Sequence, residues 1–365
     1  MLKIDFYIGV EQDATTRMLF QGHFLKWYQE ITAHVDTRLI SLPNGNGLNE
    51  RVKRKFFDMT GFPLVFNRRR NSLLHIASVN LVNNAISSVV TLPLVVSCFD
   101  AIVYEDNIEE LAIRRPERTV AAHEKILRKA DRIITVSGHA RSRIADVFGL
   151  SREKIDVAYN GVDHTVFYPG QIEKTPEMLM KYGFSPDRKN ILYVGSETPR
   201  KNLERMIRAL PLVGKQSRIQ FVKVGKPEKL YHSALRDLVR KLGIEEMVHF
   251  RGIVSAEDLP IMYNLADVFV FPSLYEGFGL PPLEAMACGC PVVTSNITSL
   301  PEVVGDAAVV VDPYDIRNIA DGILSILNNE EYRQELIRAG RAQALKFDWR
   351  KAADIILNAY RKVMS

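Results

Sequence analysis

Two carboxylates, Glu276 and Glu284, bracket a glycine turn, Gly277-Phe278-Gly279-Leu280-Pro281-Pro282, and the residues between them suggest what they do. Gly277 and Gly279 allow backbone angles and close approaches that a side chain forbids, so a ligand can touch the main chain there. Pro281 and Pro282 suit a first helical turn, and a helix is expected on through Leu283, Glu284, Ala285 and Met286. Its positive end would face the loop as a seat for a phosphate or a departing diphosphate. Carboxylates beside an anion make sense when they accept hydrogen bonds from hydroxyls, as acidic residues do with ribose in dinucleotide folds. That points to a sugar nucleotide, with one glutamate on the sugar being moved and the other on the ribose. A plainer reading stays open from these residues alone: a loop charge at Glu276 and a first-turn acid complementing the helix dipole at Glu284.

A second group of candidates follows Asn190-Ile191-Leu192-Tyr193-Val194, which reads as a buried strand ending at Gly195. Ser196 comes next, then Arg200 and Lys201, then a helix from Asn202 or Leu203. Cations on a loop at the carboxyl end of a strand can reach a diphosphate, and at a helix start they oppose the dipole unless an anion lies between. Many enzymes that release a nucleoside diphosphate hold a metal with Asp-x-Asp, a motif absent from this chain. Two cations and a helix N-terminus can replace the ion, which predicts a metal-independent site with no cofactor.

The elements that must position these residues read as α/β. At 365 residues the chain exceeds one ordinary core and fits two domains. Through about Pro169, short β-branched runs alternate with amphipathic helices, with strands expected at 1–8, 94–98 and 132–136. The loop Gly9-Val10-Glu11-Gln12-Asp13-Ala14-Thr15 should then face the ligand. His75 follows another strand-like run and fits either a place at the site or a strand-end residue with no chemical role. A polar, proline-punctuated stretch from Tyr168 to Lys189 reads as the hinge. A second alternation places strands at 190–194, 219–224, 248–250, 268–271 and 292–294.

Composition narrows the class further. Hydrophobic residues at 47% against 25% charged exclude a disordered chain, and the net charge of +5 suits an anionic substrate or surface without calling for nucleic acid. Cys98, Cys288 and Cys290 make neither a disulfide framework nor a metal pattern, and read as small buried residues in a reducing compartment. The first strand lacks the apolar core of a signal peptide, and the apolar region 85–96 is too interrupted to span a bilayer. Basic residues interleaved with aromatics over 51–70 fit peripheral contact with anionic lipid or, more plainly, a solvated helix face.

The glutamate spacing, with Gly-Phe-Gly-Leu-Pro-Pro-Leu-Glu-Ala-Met-Ala between and after, resembles the signature of glycosyltransferase family four. Other pieces recur in the family's order: Ala-Asp-Arg-Ile-Ile-Thr-Val-Ser at 130–137, Tyr-Asn-Gly-Val-Asp at 159–163, Ile-Leu-Tyr-Val-Gly at 191–195, Pro-Arg-Lys-Asn-Leu at 199–203 and Leu-Pro-Glu-Val-Val-Gly-Asp-Ala at 300–307. The resemblance implies a retaining hexosyltransferase with two Rossmann-like domains facing a central cleft, the type B fold. It places an acceptor domain at 1–172, a nucleotide-sugar domain at 173–347 and a terminal helix at 348–365 that crosses back to the first domain. The implied donor is a GDP- or UDP-sugar, and Tyr275 to Pro282 looks somewhat like mannosyltransferases using GDP-mannose. The implied acceptor is a glycan or lipid-linked sugar, and the implied location is cytoplasmic, at the inner membrane face.

By the same resemblance Glu276, Lys201, Arg200 and Asp100 carry the chemistry. Gly9, Ser196, Gly252, Ile253, Gly277, Phe278, Gly279, Leu280 and Glu284 bind the donor, with Gly252-Ile253-Val254 clasping the base. The loop at Thr298-Ser299-Leu300-Pro301-Glu302 matches one that lies near the donor. The chain departs from the family in three places: Phe99 stands where many relatives have a histidine before Asp100, Ser196 where arginine is frequent, and a single Gly9 where paired glycines occur. Two other classes stay open, a non-catalytic sugar-nucleotide-binding subunit and a phosphorylase of the same fold.

Overall fold

Short, mostly apolar runs without regular polar alternation call for a sheet covered on both faces, and the chain supplies several. Leu73–Ile76, Leu94–Ser97, Val268–Phe271 and Val292–Ser295 are buried along their whole length. The computed structural model describes residues 2–10, 29–32, 34–42, 72–82, 87–88, 90, 93–104 and 117–365. Among these, Gly161 closes the first run of one unit, Val162–Phe347 form a second, and Asp348–Ser365 return to the first.

The first unit comprises β1 (Lys3–Val10), β2 (Asp36–Leu42), β3 (Leu73–Ile76), β4 (Leu94–Ser97), α1 (Glu117–Lys129), β5 (Arg132–Thr135), α2 (Gly138–Phe148) and β6 (Ile155–Val157). Its strands form one parallel sheet in the order β2-β1-β3-β4-β5-β6. The second unit comprises α3 (Pro176–Lys181), β7 (Lys189–Val194), α4 (Leu203–Gly214), β8 (Ile219–Val224), α5 (Lys229–Leu242), β9 (Val248–Gly252), α6 (Asp258–Leu265), β10 (Val268–Phe271), α7 (Leu280–Ala287), β11 (Val292–Ser295), α8 (Leu300–Val304), β12 (Val309–Val311), α9 (Ile316–Leu327) and α10 (Glu330–Ala344). Its parallel sheet runs β12-β11-β10-β7-β8-β9, the doubly wound Rossmann order. The last helix, α11 (Trp349–Met364), packs on β3, β5 and β6 of the first unit.

Helices form where the sequence caps them. Asp315 accepts from the amides of Arg317 at 2.8 Å and Asn318 at 3.2 Å, and α9 then buries Ile319, Ile323 and Ile326. Gly322 lets this helix lie on the sheet, since a Cβ there would meet Val311 at 2.7 Å.

One expectation is corrected here. Gly9 lies inside β1, which runs on to pair Val10 with Leu42, rather than in a ligand-facing loop. The polar stretch 168–189, read as the hinge, makes bonds within the second unit. Gly170 donates to Asn264 Oδ1 at 2.8 Å and Lys174 to the carbonyl of Leu265 at 3.0 Å. The expectations at 11–15 and 51–70 lie outside the described residues.

His75 settles on its structural reading. It is 1% exposed, with Nε2 at 2.9 Å from Ser97 Oγ and Nδ1 at 2.6 Å from Tyr360 Oη, and burial pulls its pKa down to about 3. A neutral imidazole with both nitrogens engaged has nothing to offer a sugar, so it does not replace the histidine missing at Phe99. It fastens α11 to the sheet instead. Tyr360→Phe should destabilise the first unit by about 1–3 kcal/mol, because it strands a buried ring nitrogen. Denaturant unfolding followed at the two tryptophans, Trp27 and Trp349, measures this.

Candidate active site

In a doubly wound sheet the ligand crevice opens at the carboxyl ends of the strands where the order reverses. In the second unit that point lies between β7 and β10, which are hydrogen-bonded neighbours. The loop after β7 carries Ser196, Arg200 and Lys201, and the loop after β10 carries Ser273 through Gly279. The topology therefore delivers the two predicted groups to one place.

Side chains then lock the loops together. Pro199–Lys201 form a short 3-10 turn closed by Asn202, whose φ of +58° is tolerable for asparagine. The Asn202 amide donates to the carbonyls of Pro272 at 2.9 Å and Pro313 at 2.7 Å. Tyr193 donates to the carbonyl of Lys201 at 3.0 Å, and Leu274 donates its amide to the carbonyl of Arg200 at 2.7 Å. Backbone bonds of this kind leave the two cations little freedom to wander.

At the centre Glu276 Oε1 accepts from Lys201 Nζ at 2.6 Å, from Ser273 Oγ at 2.6 Å and from Arg200 Nη1 at 3.0 Å. All three side-chain donors converge on Oε1, and Oε2 accepts none of them. Arg200 also donates to the carbonyl of Tyr275 at 3.0 Å, and Lys201 Nζ stands 4.6 Å from the centroid of the Phe271 ring. Burial pushes the Glu276 carboxyl up, but Lys201 and then Arg200 overcome it and hold its pKa at about 2. Burial likewise lowers the Lys201 ammonium, and Glu276 opposes that shift. With two cations and one anion, the cluster carries one net positive charge.

Neither a surface charge nor a solvated cation pair is what the structure holds: Glu276 and Lys201 are each 8% exposed. The sequence suggested cations on the phosphate and Glu276 on the sugar as separate contacts, and the structure joins them in one ion cluster. Ser273 was not foreseen, since a lone serine after a strand carries no signal.

The second glutamate sits differently. Glu284 is the fifth residue of α7, and Tyr263 of α6 donates to its Oε2 at 3.0 Å. Burial raises its pKa to about 7, with Tyr263 opposing. Cys288, one turn on, is a buried free thiol, as are Cys98 and Cys290.

Gly279 caps α7 with φ +115°, and a Cβ there would lie 2.7 Å from Leu300, so glycine is required twice over. The two prolines change the expected anion seat. Of the first four residues of α7, only Leu280 and Leu283 have an amide hydrogen, so amides for an anion come chiefly from the Gly277–Leu280 turn. Phe278 packs its ring edge-on against Phe347, 5.8 Å between centroids, so it can offer a ligand its backbone rather than its ring. Ser299 ties the turn down by donating to the carbonyls of Glu276 at 2.9 Å and Phe278 at 2.7 Å. Thr298, at φ +61°, accepts the Glu276 amide at 3.3 Å, which fixes the 298–302 loop against the turn.

Of the other predicted residues, Gly252 ends β9 at φ +75° with open space where a Cβ would be, and Ile253 beside it is 73% exposed. Asp100 belongs to the first unit, where its Oδ1 accepts the amide of Ile102 at 3.1 Å and shapes the turn after β4.

Two parallel six-stranded sheets with this strand order define a protein of the type B glycosyltransferase fold. The comparisons agree. Sucrose-phosphate synthase from Thermosynechococcus elongatus superposes with a TM-score of 0.74 at 20% identity, over 99% of each chain. The Anabaena protein HepE, solved with UDP, gives 0.75 at 18% identity over 99% of this chain and 100% of its own. Residues 36–166 match the model of Glycosyltransferase Family 4, and 174–343 that of Glycosyl transferases group 1. Among curated proteins, the O-antigen chain mannosyltransferase B of Escherichia coli is 38% identical over 66% of this chain and 62% of its own length. A serotype-specific mannosyltransferase of Escherichia coli is 32% identical over 65% of this chain and 29% of its own. These matches thus span less than two thirds of either relative. The chain belongs to glycosyltransferase family four.

Glu284 gives a stability test. Since the folded pKa of Glu284 lies above its unfolded value, the folded state binds more protons between about 4.5 and 7, and stability falls as pH rises through that window. Glu284→Gln should therefore gain on the order of 2 kcal/mol over the parent at pH 8 relative to pH 5. Thermal unfolding at the two pH values reads the difference.

Proposed function

We propose that this chain transfers a hexose, mannose by preference, from a nucleotide diphosphate sugar to a glycan or lipid-linked acceptor, with retention of configuration and without a metal ion. The carrying observation is the Lys201–Arg200–Glu276 cluster at the switch point, with its single net positive charge and with Oε2 of Glu276 taking no hydrogen bond from a side chain among the described residues. Mannose is favoured because both mannosyltransferases of Escherichia coli match this chain at 32% identity or better.

In this reading Lys201 and Arg200 meet the negative charge that grows on the diphosphate as the anomeric carbon–oxygen bond breaks, where fixed charges in a dry site act strongly. Glu276 serves twice. Through Oε1 it opposes the lowering that burial imposes on the Lys201 ammonium, and through Oε2 it accepts a hydroxyl of the sugar. Glu284 accepts from the ribose. The acceptor oxygen attacks the anomeric carbon from the side the diphosphate leaves and passes its proton to the departing phosphate oxygen, so no protein base is needed and Phe99 is tolerated. We place the enzyme in the cytoplasm at the inner membrane face, where lipid-linked acceptors are presented. No helix among the described residues is long and apolar enough to cross a membrane.

Lys201→Ala and Glu276→Ala should each cut kcat/KM by roughly 100-fold or more, and Phe99→Ala by less than about tenfold. Radiolabelled GDP-mannose with a purified single chain provides the assay, and equal losses in all three variants would break the role assignments. Turnover should also survive excess EDTA. Loss of activity restored by magnesium would refute metal independence.

A further inference from the structure

A second buried charge cluster lies beside the first, on residues that the sequence reading passed over. Lys223 of β8 and Glu197, three residues past the end of β7, form an ion pair of 2.8 Å with side chains 0% and 1% exposed. His232 of α5 places Nδ1 at 3.0 Å from both carboxylate oxygens of Glu197, and the amide of Glu228 donates to Oε2 at 3.3 Å. The main-chain amide of Glu197 donates in turn to the carbonyl of Lys226 at 3.2 Å. One side chain thus ties the β7 loop to β8, to the 226–228 loop and to α5.

The tie continues in both directions. Towards β9, Lys223 donates to the carbonyl of Gly225 at 3.0 Å, and the Gly225 amide donates to the carbonyl of Gly252 at 2.7 Å. The loops are pressed so close that a Cβ on Gly225 would lie 2.2 Å from the Gly195 carbonyl oxygen. Towards the cations, Glu197 is separated from the Pro199–Lys201 turn by Thr198 alone. Gly252 and Ile253 stand where the base is expected, and Arg200 and Lys201 where the diphosphate is expected.

We propose that Glu197, held by Lys223 and His232, is a positioning residue that keeps the diphosphate-gripping turn in register with the base-binding strand end, so that base and diphosphate are bound as one rigid ligand. This rests on the reading of the site given above. A buried ion pair is a poor source of stability compared with apolar packing, but it fixes one arrangement because either charge alone is penalised.

The test uses the whole chain and calorimetric titration with GDP and, separately, UDP. His232→Phe keeps the ring, which packs edge-on to Phe250 with 5.0 Å between centroids, and removes the N–H donor. It should weaken diphosphate binding about three- to tenfold while moving Tm by only a few degrees, and His232→Asn, which restores a donor at that position, should recover most of the loss. Glu197→Gln alone leaves a buried ammonium unpaired and should lower Tm by about 10 °C. The double variant Glu197→Gln with Lys223→Met removes both charges, should regain Tm, and should still bind tenfold or more weakly. Parent-like binding in the folded double variant and in His232→Phe would overturn the proposal and leave a core ion pair. If the parent binds neither nucleotide, the proposed function fails, and the positioning role is read from amide exchange without ligand. Exchange at 196–201 should quicken in the double variant, and unchanged exchange would overturn it.

Discussion

A carboxylate buried between a lysine and an arginine is the constraint on which the second unit is built. Lys201 and Arg200 hold Glu276 ionised against the effect of its burial, and Glu276 in turn opposes the lowering that burial imposes on the Lys201 ammonium. The cost of desolvating these groups is recovered only if the geometry is held closely. That requirement explains the density of backbone ties around them: Asn202 to Pro272 and Pro313, Tyr193 to Lys201, Ser299 to Glu276 and Phe278. The sheet beneath supplies the rigid base. Phe271, whose ring faces the Lys201 ammonium, is the last residue of a strand with no solvent exposure at all.

Much of the frame could be read from residues alone because the physics that fixes it is local. Val268–Phe271 is a continuous apolar run and Ile219–Val224 an alternating one, and both strands form where the pattern puts them. The helix after Gly279 starts where two prolines and a glycine allow it to start. Gly9 misled for the same reason that Gly279 did not. A glycine is a turn signal only when its neighbours cannot continue the strand, and the pairing of Val10 with Leu42 continues β1 past it.

The charged cluster was legible in its members but not in its wiring. Arg200, Lys201 and Glu276 are individually conspicuous, being charges at strand ends beside glycines and prolines. Their mutual contact depends on β7 and β10 becoming neighbours, across some seventy residues of chain that contain two other strands. No periodicity encodes that adjacency. Glu197 and Lys223 were harder still. In sequence, Lys223 looks like the polar position of an alternating strand, and only the fold shows that both faces of β8 are covered and that the lysine must find a carboxylate inside.

The same logic separates the paired glutamates. Both stand at the carboxyl edge of β10, eight positions apart, and a motif treats them as equivalent acids. Their surroundings drive them in opposite directions: cations bring Glu276 to about 2, while Glu284, with a neutral tyrosine hydroxyl as its partner, is pushed up to about 7. An acid held ionised at every working pH can act as a fixed counter-charge. One poised near neutrality changes its hydrogen-bonding character with a single proton, accepting from a hydroxyl when ionised and donating to an oxygen when not. The environment, rather than the spacing, therefore sets the two carboxyls apart, one a fixed counter-charge and the other a group whose hydrogen bonding reverses near neutrality.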